Sequence, residues 1–193
     1  MRYAEDHKQA TKAKVLKAAA RAIRQEGPDR VGVAGIMAKV GLTHGGFYAH
    51  FASKDDLLAQ AIGQMFEESA AKFAGTVESR PIDEALADYF DDYLSPRHRD
   101  RRDSGCPLPA LSADLPRLPA PSREAFGRGV ADLTGRLAAA LAALGRKDAP
   151  NLASSTLSEM VGAVALARAV PDGAQSEAIL KAARESVRER CGV

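Results

Sequence analysis

Residues 33–54 read Val-Ala-Gly-Ile-Met-Ala-Lys-Val-Gly-Leu-Thr-His-Gly-Gly-Phe-Tyr-Ala-His-Phe-Ala-Ser-Lys. Val33, Ile36, Met37 and Val40 fall at i, i+3, i+4 and i+7, the spacing of one helical face. Gly41 stops that helix, because glycine tolerates the left-handed backbone of a tight turn. Leu42 fills the space beneath the turn, and Thr43 is placed to cap a second short helix with its side-chain oxygen. Two helices joined by a short Gly-containing turn make a helix-turn-helix, whose second helix enters the major groove of DNA.

The second helix has two unlike sides. Phe47 and Phe51 lie four apart and share a face that suits a core. The other side carries Thr43, His44, Gly45, Gly46, Tyr48 and His50. Adjacent glycines weaken a helix by roughly 1 kcal/mol each, and close approach to another surface is one reason to omit side chains there. Tyr48, His50 and Lys54 are donors of the kind that contact phosphate oxygens. Thr43, His44 and the backbone at Gly45 and Gly46 are left to read bases.

From these residues the stretch Thr11–Ile62 resembles the DNA-binding domain of the TetR family of bacterial transcriptional regulators. The resemblance is carried by Val15-Leu16-Lys17-Ala18-Ala19, by Gly27, by Ile36-Met37-Ala38-Lys39-Val40-Gly41-Leu42-Thr43, and by Gly46-Phe47-Tyr48-Ala49-His50-Phe51-Ala52-Ser53-Lys54-Asp55-Asp56-Leu57. It departs from the family pattern at Val31 and Gly32, where hydroxyl residues are usual, and at Ala34 and Gly35, where a polar pair is common. The resemblance implies an all-α protein of about nine helices. A helix-turn-helix DNA-binding domain would occupy residues 1–53, and a helical effector-binding and dimerisation domain residues 54–193. It also implies a ligand-released repressor that binds a palindromic operator in double-stranded DNA as a homodimer.

Composition agrees with that division. Residues 1–60 hold 10 Lys and Arg against 6 Asp and Glu, a net +4, whereas residues 61–193 hold 17 against 19, a net −2. A basic N-terminal module suits DNA. No apolar run is long enough to span a bilayer, so no membrane partner is expected. The N-terminus is charged rather than signal-like. The two cysteines, Cys106 and Cys191, lie far apart and suggest no disulfide scaffold, which suits a cytoplasmic location.

Apolar periodicity outlines the remaining helices. Thr11–Glu26 stacks Val15, Ala19 and Ile23, and Gly27-Pro28-Asp29 breaks it. Ser53 caps a long helix from Lys54 to about Glu78, with Asp55 and Asp56 in its first turn. That helix starts in the head and continues into the body, as their mechanical link. Further helices are expected over Ile82–Leu94, Cys106–Leu115, Ser122–Leu144, Leu152–Ala169 and Gln175–Arg190, with a polar loop over Ser95–Ser104. The last two should form the dimer contact, through Leu157, Met160, Val161, Val164 and Ala165 on one and Ile179, Leu180, Ala183 and Val187 on the other. The alternative is that both stripes serve the protomer core.

The resemblance also implies an effector pocket, for a small, mostly apolar or aromatic ligand. Met65, Phe66, Phe73, Tyr89, Phe90, Tyr93, Cys106 and Phe126 are its candidate lining, though each equally suits plain core. Cys106 stands in Ser-Gly-Cys-Pro, where a helix start and the nearby Arg97, Arg99, Arg101 and Arg102 would lower a thiol's pKa and make it an electrophile or oxidant sensor. The alternative for Cys106 is a small buried hydrophobe. Enzyme activity is not expected. There is no phosphate-cradling Gly motif, HExxH, CxxC or nucleophile elbow. The histidines show no metal-ligand spacing, and no cofactor is implied. A helical adaptor that does not bind DNA is the remaining, more distant alternative.

Overall fold

The computed structural model describes residues 2–78 and 80–193, which are all-α. Three elements and the start of a fourth build a small N-terminal head. Helix α1 (Arg2–Glu26) begins well before Thr11. Residues 5–10 carry no apolar stripe, but Glu, Lys, Gln and Ala propagate a helix without one. Thr11 Oγ1 donates to the His7 carbonyl at 2.9 Å instead of capping a helix start. Helix α2 (Val33–Lys39) ends at the expected turn. Gly41 takes φ +74°, the Leu42 N–H reaches the Met37 carbonyl at 2.9 Å, and the Gly41 N–H reaches Ala38 at 3.1 Å. This is the hydrogen-bond pattern of a left-handed helix stop.

The element after the turn differs from the expected α-helix. His44–Ala49 is a 3-10 helix, and Thr43 sits at its cap position without a side-chain cap bond. Two glycines in a six-residue segment leave too little propensity to sustain an α-helix.

Helix α3 (Lys54–Val77) starts as expected, with Ser53 Oγ accepting the Asp56 N–H at 3.0 Å. Asp56 in turn accepts the Ala52 N–H at 2.9 Å, so the entry to α3 is tied in both directions. The Gln60 amide, the Ala52 N–H and the charge of Lys12 hold the Asp56 carboxyl below its usual range. The buried stripe of α3 begins with Leu57, Leu58, Ala61 and Ile62 against the head. It runs on through Met65, Phe66, Ala70 and Phe73 in the body.

The body adds α4 (Ile82–Tyr93), α5 (Pro96–Asp100), α6 (Pro107–Leu111), α7 (Ala120–Ala143), α8 (Ala149–Ala169) and α9 (Gly173–Cys191). The expected polar loop over Ser95–Ser104 therefore contains a helix. Ser95 Oγ accepts the His98 N–H at 3.1 Å and Pro96 fills the first turn, a start signal hidden by the run of charge. The expected Cys106–Leu115 helix is shorter, followed by a separate 3-10 turn over Leu115–Arg117.

Helix α7 packs along α3, and α8 and α9 pack on each other, on α7 and on α4. Leu157, Met160 and Val164, with Leu180, Ala183 and Val187, are consequently buried inside the protomer. Most of the two stripes expected at a dimer contact are thus protomer core, because α8 and α9 need those residues to cover one another. The outer faces carry small residues: Ser155, Ser158, Gly162, Ala165 and Ala169 on α8, and Ala178, Ala182 and Ser186 on α9.

The α3–α7 contact depends on one missing side chain. A Cβ on Gly129 would stand 2.1 Å from Cγ of Phe66, so the ring lies directly on the α7 backbone. Phe66 also meets Phe126 edge-to-face, with ring centroids 5.3 Å apart. Gly129→Ala is expected to destabilise the protein by about 1–3 kcal/mol through overpacking. Gly127→Ala, where a Cβ meets nothing within 4 Å, should be neutral or stabilising. Urea unfolding of the two variants checks this.

Candidate DNA-binding and effector sites

The head presents a polar face over an aromatic wedge. Phe47 and Phe51 are buried and stacked at 5.4 Å, and Lys12 of α1 lies 5.5 Å over the Phe51 ring. This wedge fixes the 3-10 helix on the head and turns its other side outward. Thr43, His44, Gly45, Tyr48 and Lys54 are exposed. Tyr48, at 67% exposure, is one of two large hydrophobic residues left in solvent among the described residues. Its ring meets Phe47 edge-to-face at 5.2 Å and His44 at 6.3 Å, which holds it upright on the surface.

Gly45 has open space where a Cβ would stand, and Gly46 would make only ordinary contacts, so nothing inside the protein demands either glycine. His50 is half-buried. Its Nδ1 is sealed without a partner among the described residues, which leaves Nε2 for any outward contact.

The eight candidate effector residues do not enclose one chamber. Phe66 lines an open groove of about 850 Å³ between α3 and α7, whose rim is charged by Glu67, Arg128, Asp132 and Arg136. Tyr89, Tyr93 and Cys106 line a separate cavity of about 70 Å³. Met65, Phe73, Phe90 and Phe126 line neither. Met65, Phe73 and Phe90 are core, and Phe73 packs edge-to-face on Tyr89 at 4.8 Å.

Cys106 is buried, and burial pushes its thiol up, outweighing the contributions of Tyr93, the Leu108 backbone, Arg24 and Arg168. The expected lowering by the four nearby arginines does not occur. Arg97 pairs with Asp92, and Arg99 pairs with Asp100 and donates to Ser176 at 2.8 Å. Cys191 is also buried and its thiol is likewise raised by burial.

Three polar residues, Arg24 and His98 buried and Arg168 half-buried, escape sequence reading. Arg24 falls four residues after the buried Ala20, on the inner side of α1, and donates to Glu68 of α3 at 2.9 Å. That register was its signal, but a basic residue in a last turn reads equally well as a helix-dipole partner. Arg168 donates to the Arg99 carbonyl at 3.0 Å and the His98 carbonyl at 3.1 Å, closing the end of α5.

His98 uses both ring nitrogens. Nδ1–H donates to the Tyr93 carbonyl at 2.7 Å, and Nε2 accepts the Cys106 N–H at 3.0 Å. A Cβ on Gly105 would lie 3.0 Å from Nε2, so the chain passes flat across the ring. His98 is thus a neutral pin and not a base for the thiol.

The described residues thus form a helix-turn-helix head on a helical body. Residues 15–61 match the family described as bacterial regulatory proteins, tetR family. No curated protein sequence matches the chain. Three similar solved structures show how far the fold extends. The reduced form of NemR from E. coli is 20% identical, with 93% of this chain and 97% of that one covered at a TM-score of 0.80. A TetR-family regulator from Agrobacterium tumefaciens is 24% identical, with 93% and 98% covered at 0.77. Another from Chloroflexus aurantiacus is 24% identical, with 95% of each covered at 0.79. The head thus carries the tetR-family domain, and the chain as a whole has the fold of these TetR-family structures. Among the described residues no helix is long and apolar enough to cross a membrane.

The pinned imidazole makes stability depend on pH. Burial lowers the His98 pKa to about 4, whereas in the unfolded chain it titrates near 6.5. The unfolded state therefore binds the extra proton first. The contribution of neutral His98 is complete above pH 6.5 and is lost as pH falls toward 4, up to about 3 kcal/mol in all. Unfolding free energy measured from pH 7.5 to 4 should fall with that profile. In His98→Gln the starting stability should be lower and this segment of the slope missing.

Proposed function

We propose that the protein is a repressor that acts as a homodimer on a palindromic operator and is released by a ligand. The observation that carries this reading is the exposed His44–Tyr48–Lys54 face fixed on a buried aromatic wedge. Thr43, His44 and the backbone at Gly45 and Gly46 approach base edges, and their bare surface lets the segment sit deep in the groove. Tyr48, His50 Nε2 and Lys54 position the head on phosphates.

Two-fold symmetry follows from the need to place two such heads on two half-sites. The small-residue outer faces of α8 and α9 support close packing between protomers. Ligand release works through α3, whose stripe belongs to both cores, so a ligand in the body that prefers one tilt of α3 sets the spacing of the heads. The burial and raised pKa of Cys106 favour ligand release over a thiol-sensing alternative.

Selection of bound sites from genomic DNA, followed by titration with the enriched duplex, tests the reading. A dimer on a two-fold site with half-sites about one helical turn apart or slightly more is expected. A monomer without sequence preference would refute it. Lys54→Ala should weaken binding to specific and random duplexes alike and lower the salt slope by about 1, while His44→Ala should relax sequence preference at one half-site position. Ala182→Arg should shift sedimentation toward monomer and weaken operator binding without loss of helicity.

A further inference from the structure

The small cavity lies where head and body meet, between α1, α3, α4 and the connection from α5 to α6. Four of its residues, Arg24, Tyr93, His98 and Cys106, are each more than nine-tenths buried. His98 is fully committed to Tyr93 and Cys106. Two donors are not: Arg24 Nε is sealed from solvent without a partner among the described residues, and Tyr93 Oη, likewise sealed, has only the Cys106 thiol beside it. Native proteins rarely leave such groups unpaired. Arg24 spends Nη2 on Glu68, and the adjacent Nε–H stays unpaired. Around the rim Lys72 pairs with Asp92, so charged walls of both signs cancel.

Size and chemistry then limit the occupant. One water needs about 10–15 Å³ of such space, so a 70 Å³ cavity holds roughly five water-sized atoms. That suits a short carboxylate. Two buried donors call for an acceptor group, and the Glu68 and Asp92 carboxylates in the same lining oppose a phosphate dianion more than a single negative charge. We propose that this cavity binds a compact carboxylate of two or three carbons, held by Arg24 Nε–H and Tyr93 Oη–H beside the Cys106 thiol. Resting on ligand release as the mode of control, its occupant acts by drawing Arg24 of the head away from Glu68 of α3.

Iodoacetate tests the site directly, because it is a two-carbon carboxylate that marks a neighbouring thiol. The Cys106 sulfur, as thiolate, displaces iodide; the S–C bond forms, the C–I bond breaks, and the thiol proton is lost to solvent. The full-length protein is treated at mildly alkaline pH, and Cys106 and Cys191 are quantified separately by peptide mass spectrometry. Labelling of Cys106 by iodoacetate should saturate, be slowed competitively by acetate but not by equal chloride, and outpace iodoacetamide.

Tyr93→Phe, which keeps the ring, should weaken the apparent affinity for iodoacetate about tenfold and abolish its rate advantage over iodoacetamide, a ratio that cancels any change in the thiol itself. Faster, unsaturable reaction with iodoacetamide, or a Tyr93→Phe variant identical to the parent, would show that the cavity holds water only and overturn the proposal. If Cys106 resists both reagents, thermal unfolding in acetate decides. Saturable stabilisation lost in Tyr93→Phe supports the site, and its absence overturns it. Operator titration with and without acetate separates the two readings. Saturable binding with unchanged operator affinity keeps the carboxylate site and removes ligand release.

Discussion

Helix α3 belongs to two cores at once. Its first turns bury Leu57, Leu58, Ala61 and Ile62 under the head, and its later turns bury Met65, Phe66, Ala70 and Phe73 in the body. No loop interrupts the 24 residues, so the rotation of one half is transmitted to the other as a rigid tilt. Everything else is arranged around that rod. Helix α7 can lie close along it because Gly129 yields space to Phe66, and α1 is tied to it by Arg24 and Glu68. A change in how the body grips α3 is therefore a change in where Tyr48 and His44 stand.

Around the far end of the rod the body relies on polar fastening. Arg168 closes α5, Arg99 reaches Ser176, and Ser176 Oγ donates to the Ala167 carbonyl at 2.7 Å. Asp91 of α4 receives Arg188 of α9 at 3.0 Å. Such groups gain little from pairing in water but are expensive to leave unpaired when buried, so each one fixes geometry more than it adds stability. His98 shows the principle most clearly. It contributes a ring with two directed bonds, holding Tyr93 and Cys106 on either side of one small cavity.

The head was legible because its signals are local. The stop at Gly41, the cap at Ser53 and the four-residue spacing of Phe47 and Phe51 each act within one or two turns. The 3-10 character of His44–Ala49 was not legible, since it reflects the balance between weak propensity and a tertiary wedge. In the body, apolar periodicity placed α7, α8 and α9 but did not say which neighbour each stripe would meet. Leu157, Met160 and Val164 could face a partner or a sister helix with the same spacing, and only packing decides. Arg24, His98 and Arg168 are harder still. A charged residue on a helix is usually solvated, and the partners that draw Arg24 and Arg168 inward lie 44 and 70 positions away in the sequence.

The two ion pairs from α1 have a bearing on chimaeras built from this protein. Arg21 meets Asp103 at 2.9 Å and Arg24 meets Glu68 at 2.9 Å, so the seam between head and body is written partly in charge. A recombinant that exchanged only residues 1–61 would bring foreign side chains to both carboxylates and would empty a slot that a buried guanidinium now fills. Transplanting this head therefore means moving positions 68 and 103 with it. Head and body of this chain form a matched set, and part of the matching is set at the hinge.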